Sequence, residues 1–250
     1  MEKQSEKTVL NLRVLYNYYA KHPESKWIMQ SDNVPQLYSF IKKNNFKKIL
    51  DLGTGIGCTT AIIALSLEEK GVKDYEIHTV EQYDKCRKIA EEIMPKVLKK
   101  NVIFHTSDIV VWNTENIPYH NFLTYKELPE GDFDLILVDG PGDFIENEKC
   151  INLLSGDILK IHIEDKIKPG TTIAWDGRIQ SIQTVEAFYS DNFYLIPTSF
   201  NGHFNVIERK EGAVCFRDSR YEGMKKMGYF KGTDEVPTPK QDIPIVTDKP

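Results

Sequence analysis

Apolar residues along this chain recur in two rhythms, spacings of three and four and short unbroken runs, and the two alternate. The first 45 residues carry the helical rhythm twice, in "TVLNLRVLYNYYA" and "VPQLYSFIKKNN", with Ser31 or Asp32 placed to cap the second. "KKIL" then supplies a short strand and "TTAIIALSLEEK" a helix stopped by Gly71. The unit repeats: "YEIHTV" reads as strand, "YDKCRKIAEEI" as a helix ended or bent at Pro95, and "NVIFHT" as strand. Further on, "FDLILVDG" is a strongly apolar strand, "EKCINLLSGDILKIHIEDKI" a helical stretch with Gly156 as its weak point, and "TTIAWDG" another strand.

Continuous apolar strands joined by helices predict a mostly parallel sheet covered on both faces, an α/β fold. After the helix "IQTVEAFYS", the stretches "NFYLIPTSF" and "HFNVIERK" flank Asn201 and Gly202 and predict a closing antiparallel hairpin. Segment 113–130 reads as an insertion before a strand, in a position to form part of a lid. The Pro-rich, polar stretch from about residue 231 offers too little apolar surface to offset its ordering entropy and reads as a flexible tail. The organisation predicted is an N-terminal helical segment (1–45) packed on a core domain (46–210), followed by a C-terminal extension (211–250).

Composition narrows the function more than the fold. A chain of 250 residues with 40% apolar and 28% charged content suits a single α/β domain with extensions. No apolar run approaches the roughly 20 residues that span a bilayer, so no membrane role is expected. The N-terminus lacks the features of a secretory signal, and a cytoplasmic location is the expectation. A formal charge of -5 argues against general nucleic-acid binding. Cys58, Cys86, Cys150 and Cys215 lie too far apart for a CxxC redox pair or a zinc ribbon and read as reduced thiols.

The stretch "KKILDLGTGIGCTTAIIA", residues 47–64, bends from strand to helix through three alternating glycines. Such a turn lies at the carboxyl end of a parallel strand, where ligands bind, and its glycines let the backbone come close and take positive φ. A dinucleotide fingerprint would need its last glycine at position 58, which is Cys58, and a phosphate loop would need a lysine that the turn lacks.

"DLGTGIG" resembles the first motif of the class I S-adenosylmethionine-dependent methyltransferases, with Asp51, Gly53, Gly55 and Gly57 in the family's positions. The resemblance implies a Rossmann-like, doubly wound sheet of seven strands whose hairpin is the seventh-strand feature. It also implies S-adenosyl-L-methionine as cofactor. In that reading Asp51 acts on the ammonium of the cofactor's amino-acid end, and Glu81, after "IHTV", accepts from both ribose hydroxyls. Asp108, in "HTSDIV", matches the position near the adenine amino group, and Thr54, Gln82, Ile109 and Asp139 complete the implied cofactor contacts.

Asp139 in "FDLILVDGPGD" and Asp176 in "TTIAWDG" stand at two further strand ends and are the catalytic candidates. In the catechol O-methyltransferase-like branch, acids at these positions bind a divalent metal, so the similarity implies Mg2+ at Asp139 and Asp176. The chain departs from that branch in having Gly177 directly after the second acid, and "GPGD" where a lysine is common. The activity implied is methylation of a hydroxyl on a small-molecule acceptor, with room for a homodimer. His203 is an alternative base, and Trp175, Tyr189, Phe200 and Phe204 are candidate pocket aromatics that packing explains as well. Two rival readings stand beside it: an aminopropyltransferase of the spermidine synthase kind, for which "DGPGD" and Glu146 leave room, and a noncatalytic cofactor-binding protein.

Overall fold

The computed structural model describes residues 10–141, 144–146, 149–151, 154–175, 178–189, 192–195, 205–209 and 245–247. Its centre is a seven-stranded sheet built from β1 (Lys48–Leu52), β2 (Glu76–Glu81), β3 (Val102–Thr106), β6 (Leu135–Val138), β10 (Thr172–Trp175), β11 (Phe193–Leu195) and β12 (Asn205–Arg209). The order across the sheet is β11-β12-β10-β6-β1-β2-β3. β10, β6, β1, β2 and β3 pair in parallel, and β12 runs antiparallel to both β10 and β11. The doubly wound sheet with a closing antiparallel hairpin is therefore present as the sequence predicts. The chain steps from β3 across to β6 past β1, which makes the carboxyl ends of β1 and β6 a switch point open to a ligand.

One face of the sheet packs on helices α1 (Leu12–Ala20), α2 (Val34–Lys43) and α3 (Cys58–Lys70), with Leu15, Tyr19, Leu37, Ile41, Ile49, Ile62 and Leu137 in a single buried cluster. α3 is buried on every side from Cys58 to Leu67, which is why its apolar residues show no stripe. Asn11 caps α1 by accepting from the Val14 amide at 3.0 Å. The predicted caps Ser31 and Asp32 give way to Asn33 at the N-cap position of α2, without a side-chain cap bond. α4 (Asp84–Ile93) ends before Pro95, and the single turn of α5 (Lys96–Lys99) follows it.

The opposite face departs from the sequence reading. Residues 113–130, expected as an insertion, belong largely to a hairpin of β4 (Ile109–Thr114) and β5 (Ile117–Tyr125). This hairpin pairs with β9 (Leu154–Ser155) and β13 (Ile245–Thr247) in a second, four-stranded sheet of order β13-β4-β5-β9. β13 lies within the segment read as a flexible tail, and its pairing with Val111–Asn113 corrects that reading for those three residues. The long helix expected over "EKCINLLSGDILKIHIEDKI" is likewise replaced by β8 (Lys149–Ile151), paired with β7 (Phe144–Glu146), then β9 and a short α6 (Asp157–Ile163). Helical spacing lost here to tertiary pairing: Phe122 and Leu123 of β5 pair with Leu154 and Ser155, the Gly156 amide donates to the Leu123 carbonyl at 2.9 Å, and Gly156 sits so close to Phe122 that a Cβ would lie 2.4 Å from the Phe122 Cβ. Gly156 thus starts the helix as its N-cap residue. α6, α7 (Ile179–Tyr189) and the second sheet share a core containing Trp112, Phe122, Val138, Ile173 and Trp175.

Candidate cofactor and catalytic site

The three glycines after β1 have three different duties. Gly53 (φ +105) lies so near the segment after β6 that a Cβ would stand 2.5 Å from the Gly140 nitrogen and 2.6 Å from the Asp139 carbonyl carbon. Gly57 (φ +89) faces α4, where a Cβ would meet the Ala90 Cβ at 3.0 Å. Gly55 (φ +51) has nothing within 4 Å of its absent side chain, so it alone borders open space. Two glycines are needed for chain packing and one leaves room for a ligand.

The turn is fastened to β2. Gly53 and Thr54 both donate backbone N–H to the Val80 carbonyl, at 2.9 and 3.1 Å, and the Thr54 and Thr79 hydroxyls meet at 2.5 Å. Glu81, 5% exposed, accepts from the Gly55 amide at 2.7 Å and the Tyr83 amide at 3.0 Å. Burial pushes its carboxyl above the ordinary range, while the amides of Tyr83, Gly55 and Gln82 pull the other way. Asp51 is fully buried. Its Oδ2 accepts from Thr60 at 2.6 Å and Thr79 at 3.2 Å, whereas Oδ1 has no hydrogen-bond partner among the described residues. Burial first, with the nearby Glu81 charge adding to it against the threonine bonds, pushes Asp51 up to about 6. An unmatched buried carboxylate oxygen costs free energy unless a donor reaches it, and an ammonium group fits that need.

At the neighbouring strand ends, parallel register sets Leu52 beside Val138 and Val138 beside Trp175, the residues directly before Gly53, Asp139 and Asp176. Asp139 is half-buried, and its amide donates to the Leu52 carbonyl at 2.7 Å. Its carboxylate also lies near Cys58, the buried first residue of α3, whose thiol burial pushes up to about 12. Asp176 lies outside the described residues, as do Gly177, Phe200, His203, Phe204 and the side chain of Glu146. Asp108 is exposed, with its carbonyl accepting from the Lys126 amide at 2.8 Å, and Ile109 opens β4 beside it. Trp175 and Tyr189 are packing residues: Trp175 is 1% exposed in the core, and the Tyr189 ring meets the His162 ring edge-on at 4.7 Å.

Sequence reasoning missed a second set of polar residues behind Asp139. Arg178, just before α7, donates from one guanidinium nitrogen to the Asp139 carbonyl at 2.7 Å and from another to the Pro141 carbonyl at 3.1 Å. Asp157, fully buried at the head of α6, accepts from the Tyr125 amide at 2.9 Å. Burial raises Asp157 to about 7, against the opposing pull of that amide, Lys160 and Arg178. The Tyr125 hydroxyl stands where a Cβ on Gly140 would come within 2.5 Å of it. Burial, with the charges of Glu81, Asp157 and Asp51, holds that phenol far above its usual range. Arg178 stands two positions after Asp176, but its targets are 37 and 39 residues away in the chain, so no local pattern announced them.

The family model of protein-L-isoaspartate(D-aspartate) O-methyltransferase matches residues 18–130, from α1 to the end of the β4–β5 hairpin. No curated protein matches the chain in sequence. Among solved structures, the methyltransferase PaMTH1 of Podospora anserina with S-adenosylhomocysteine bound is 16% identical, with a TM-score of 0.52 over 80% of this chain and 88% of that one. The O-methyltransferase TomG of Streptomyces achromogenes, in complex with S-adenosylmethionine, is 14% identical with a TM-score of 0.50 over 84% and 93%. These structures share the fold, and the span of the family match includes the glycine turn and the strands β1 and β2. Over residues 18–130 the chain is similar to the O-methyltransferase family of that model, and its fold is that of methyltransferases solved with S-adenosylmethionine or S-adenosylhomocysteine bound.

Proposed function

We propose that this methyltransferase transfers the methyl group of S-adenosylmethionine to a hydroxyl oxygen of a small molecule, at the carboxyl ends of β1, β2, β6 and β10. The observation that carries the cofactor half is the convergence of Asp51, with its unmatched buried Oδ1, and Glu81 on a turn whose Gly55 borders open space. Asp51 takes the cofactor ammonium. Glu81, whose carboxylate has about four accepting sites and spends part of them on backbone amides, takes the ribose hydroxyls. Thr54, Gln82, Asp108 and Ile109 line the nucleoside side, and the backbone of Gly53, Gly55, Gly57 and Asp139 shapes the floor.

When bound, the sulfonium supplies an electrophilic methyl group, so the chain's own task is positioning, exclusion of water and acceptance of one proton. Asp139, half-buried at the end of β6, orients the acceptor hydroxyl and receives its proton, with Asp176 as the second acid. Magnesium enters none of these steps because the residues suit it poorly. Gly177 stands directly after Asp176, where a metal-binding branch commonly places a further Asp or Asn. The family match favours a second acceptor, the carboxyl group of an isoaspartyl peptide, which is also an O-methylation.

Calorimetric titration with S-adenosylhomocysteine, followed by transfer of labelled methyl to a panel of phenols, alcohols and an isoaspartyl peptide, tests the proposal. Cofactor binding with labelling of a hydroxyl compound, unchanged by EDTA, is the expected outcome. Labelling of the peptide alone transfers the assignment to the second acceptor, and an absence of heat removes the cofactor site.

A further inference from the structure

The segment Asp139-Gly140-Pro141 is the joint between the cofactor turn and the acceptor side. On one side it touches the glycine turn, since a Cβ on Gly140 would lie 2.7 Å from the Gly53 Cα and 3.0 Å from the Gly53 nitrogen. On another it rests on Tyr125 of the second sheet. On the third it is held by Arg178, whose planar guanidinium reaches two carbonyls of the same segment at once. Few side chains can bridge two carbonyl oxygens two residues apart with a fixed fork, and Lys, a single point charge, cannot reproduce it.

A guanidinium that donates to carbonyls carries a full charge into a half-buried place and needs compensation. Buried Asp157 lies within electrostatic reach of the guanidinium and is itself fixed by the Tyr125 amide at 2.9 Å and the Ser155 hydroxyl at 3.4 Å. The head of α7, the head of α6 and the end of β5 therefore converge behind a segment whose front carries Asp139.

We propose that Arg178 is a positioning residue: its two hydrogen bonds to the Asp139 and Pro141 carbonyls hold this segment against Gly53, and so set both the shape of the cofactor turn and the direction of the Asp139 carboxylate. This rests on the methyltransferase reading above. Arg178 touches neither cofactor nor acceptor and acts through the segment it holds.

The test compares S-adenosylhomocysteine affinity of the full-length wild type with Arg178→Gln, Arg178→Lys and Arg178→Gly, measured by calorimetry alongside thermal unfolding. Arg178→Gln should weaken binding about tenfold and Arg178→Lys less, while added methylguanidinium should restore Arg178→Gly and methylammonium should not. Phe188→Ala, on an exposed position of the same helix, is the control for lost stability and should bind as wild type does. Should Arg178→Gln lower the unfolding temperature too far to titrate, the rescue of Arg178→Gly by methylguanidinium decides. Wild-type binding with unaltered affinity in Arg178→Gln, or a loss in Arg178→Gly that methylguanidinium leaves untouched, overturns the positioning role. A wild type that gives no heat overturns the cofactor reading instead.

Discussion

The β1–β2 rim and the β6–β10 rim meet at Gly53, yet they are built on different principles. The first is local and repetitive: a turn and a neighbouring strand end joined by hydrogen bonds from the Gly53 and Thr54 amides to the Val80 carbonyl and from the Gly55 amide to the Glu81 carboxylate. The second is assembled from distant pieces, with Tyr125 from a second sheet and Arg178 from just before α7 against one segment, and Asp157 of α6 holding the Tyr125 amide. The contrast teaches that the cofactor rim can be carried by a short stretch of chain, whereas the acceptor rim depends on elements far apart in the chain.

Substitutions can break that comparison at its seam. Gly53→Ala should be the most damaging, because both its positive φ and the 2.5 Å approach to the Gly140 backbone forbid a Cβ. A loss of about 3 kcal/mol or more is expected, visible as a fall in unfolding temperature of roughly 6 to 12 °C. A near-wild-type melting curve would show that the rims are not packed as described. Glu81→Ala comes next: it should weaken S-adenosylhomocysteine binding by roughly 1 to 3 kcal/mol, the range for losing hydrogen bonds to a charged group. Unchanged affinity in that variant would remove Glu81 from the nucleoside site.

Gly55→Ala sharpens the contrast with Gly53, since its absent side chain meets nothing and only the left-handed backbone resists, at about 1 to 2 kcal/mol. Its stability should fall less than that of Gly53→Ala while its cofactor affinity falls more than its stability suggests, a pattern that paired calorimetry and thermal unfolding will reveal.

The smallest effect concerns pH. Asp157 is raised from the model-compound 3.8 to about 7 and Asp51 to about 6, so the folded chain binds these protons more tightly than the unfolded chain does. Their contribution to stability is present below about pH 4 and is lost as pH rises through the folded values. Asp157→Asn keeps an acceptor for the Tyr125 amide and removes one of the two titrations. Urea unfolding at pH 5 and pH 8 should therefore give a smaller decline for the variant than for the wild type; equal declines would place the titration elsewhere.

The sequence by itself determined the parallel sheet, the glycine turn and the acids that follow β1, β2 and β6, because each is written in contiguous residues. An apolar run of strand length, a turn that only glycine can make and a carboxylate at the strand end all lie within a few positions of one another. Tertiary structure decided what the spacing of apolar residues misread. Residues 149–151 and 154–155 carry helical spacing but lie in strands, Leu154 and Ser155 at the edge of β5, and Ile245–Thr247 finds the edge of β4 from far along the chain. The different duties of Gly53, Gly55 and Gly57 were equally invisible, since they depend on Gly140, open space and Ala90. The bonds from Arg178 belong to the same class: hydrogen bonding and steric exclusion act over a few ångströms, and only the folded chain brings residues tens of positions apart within that range.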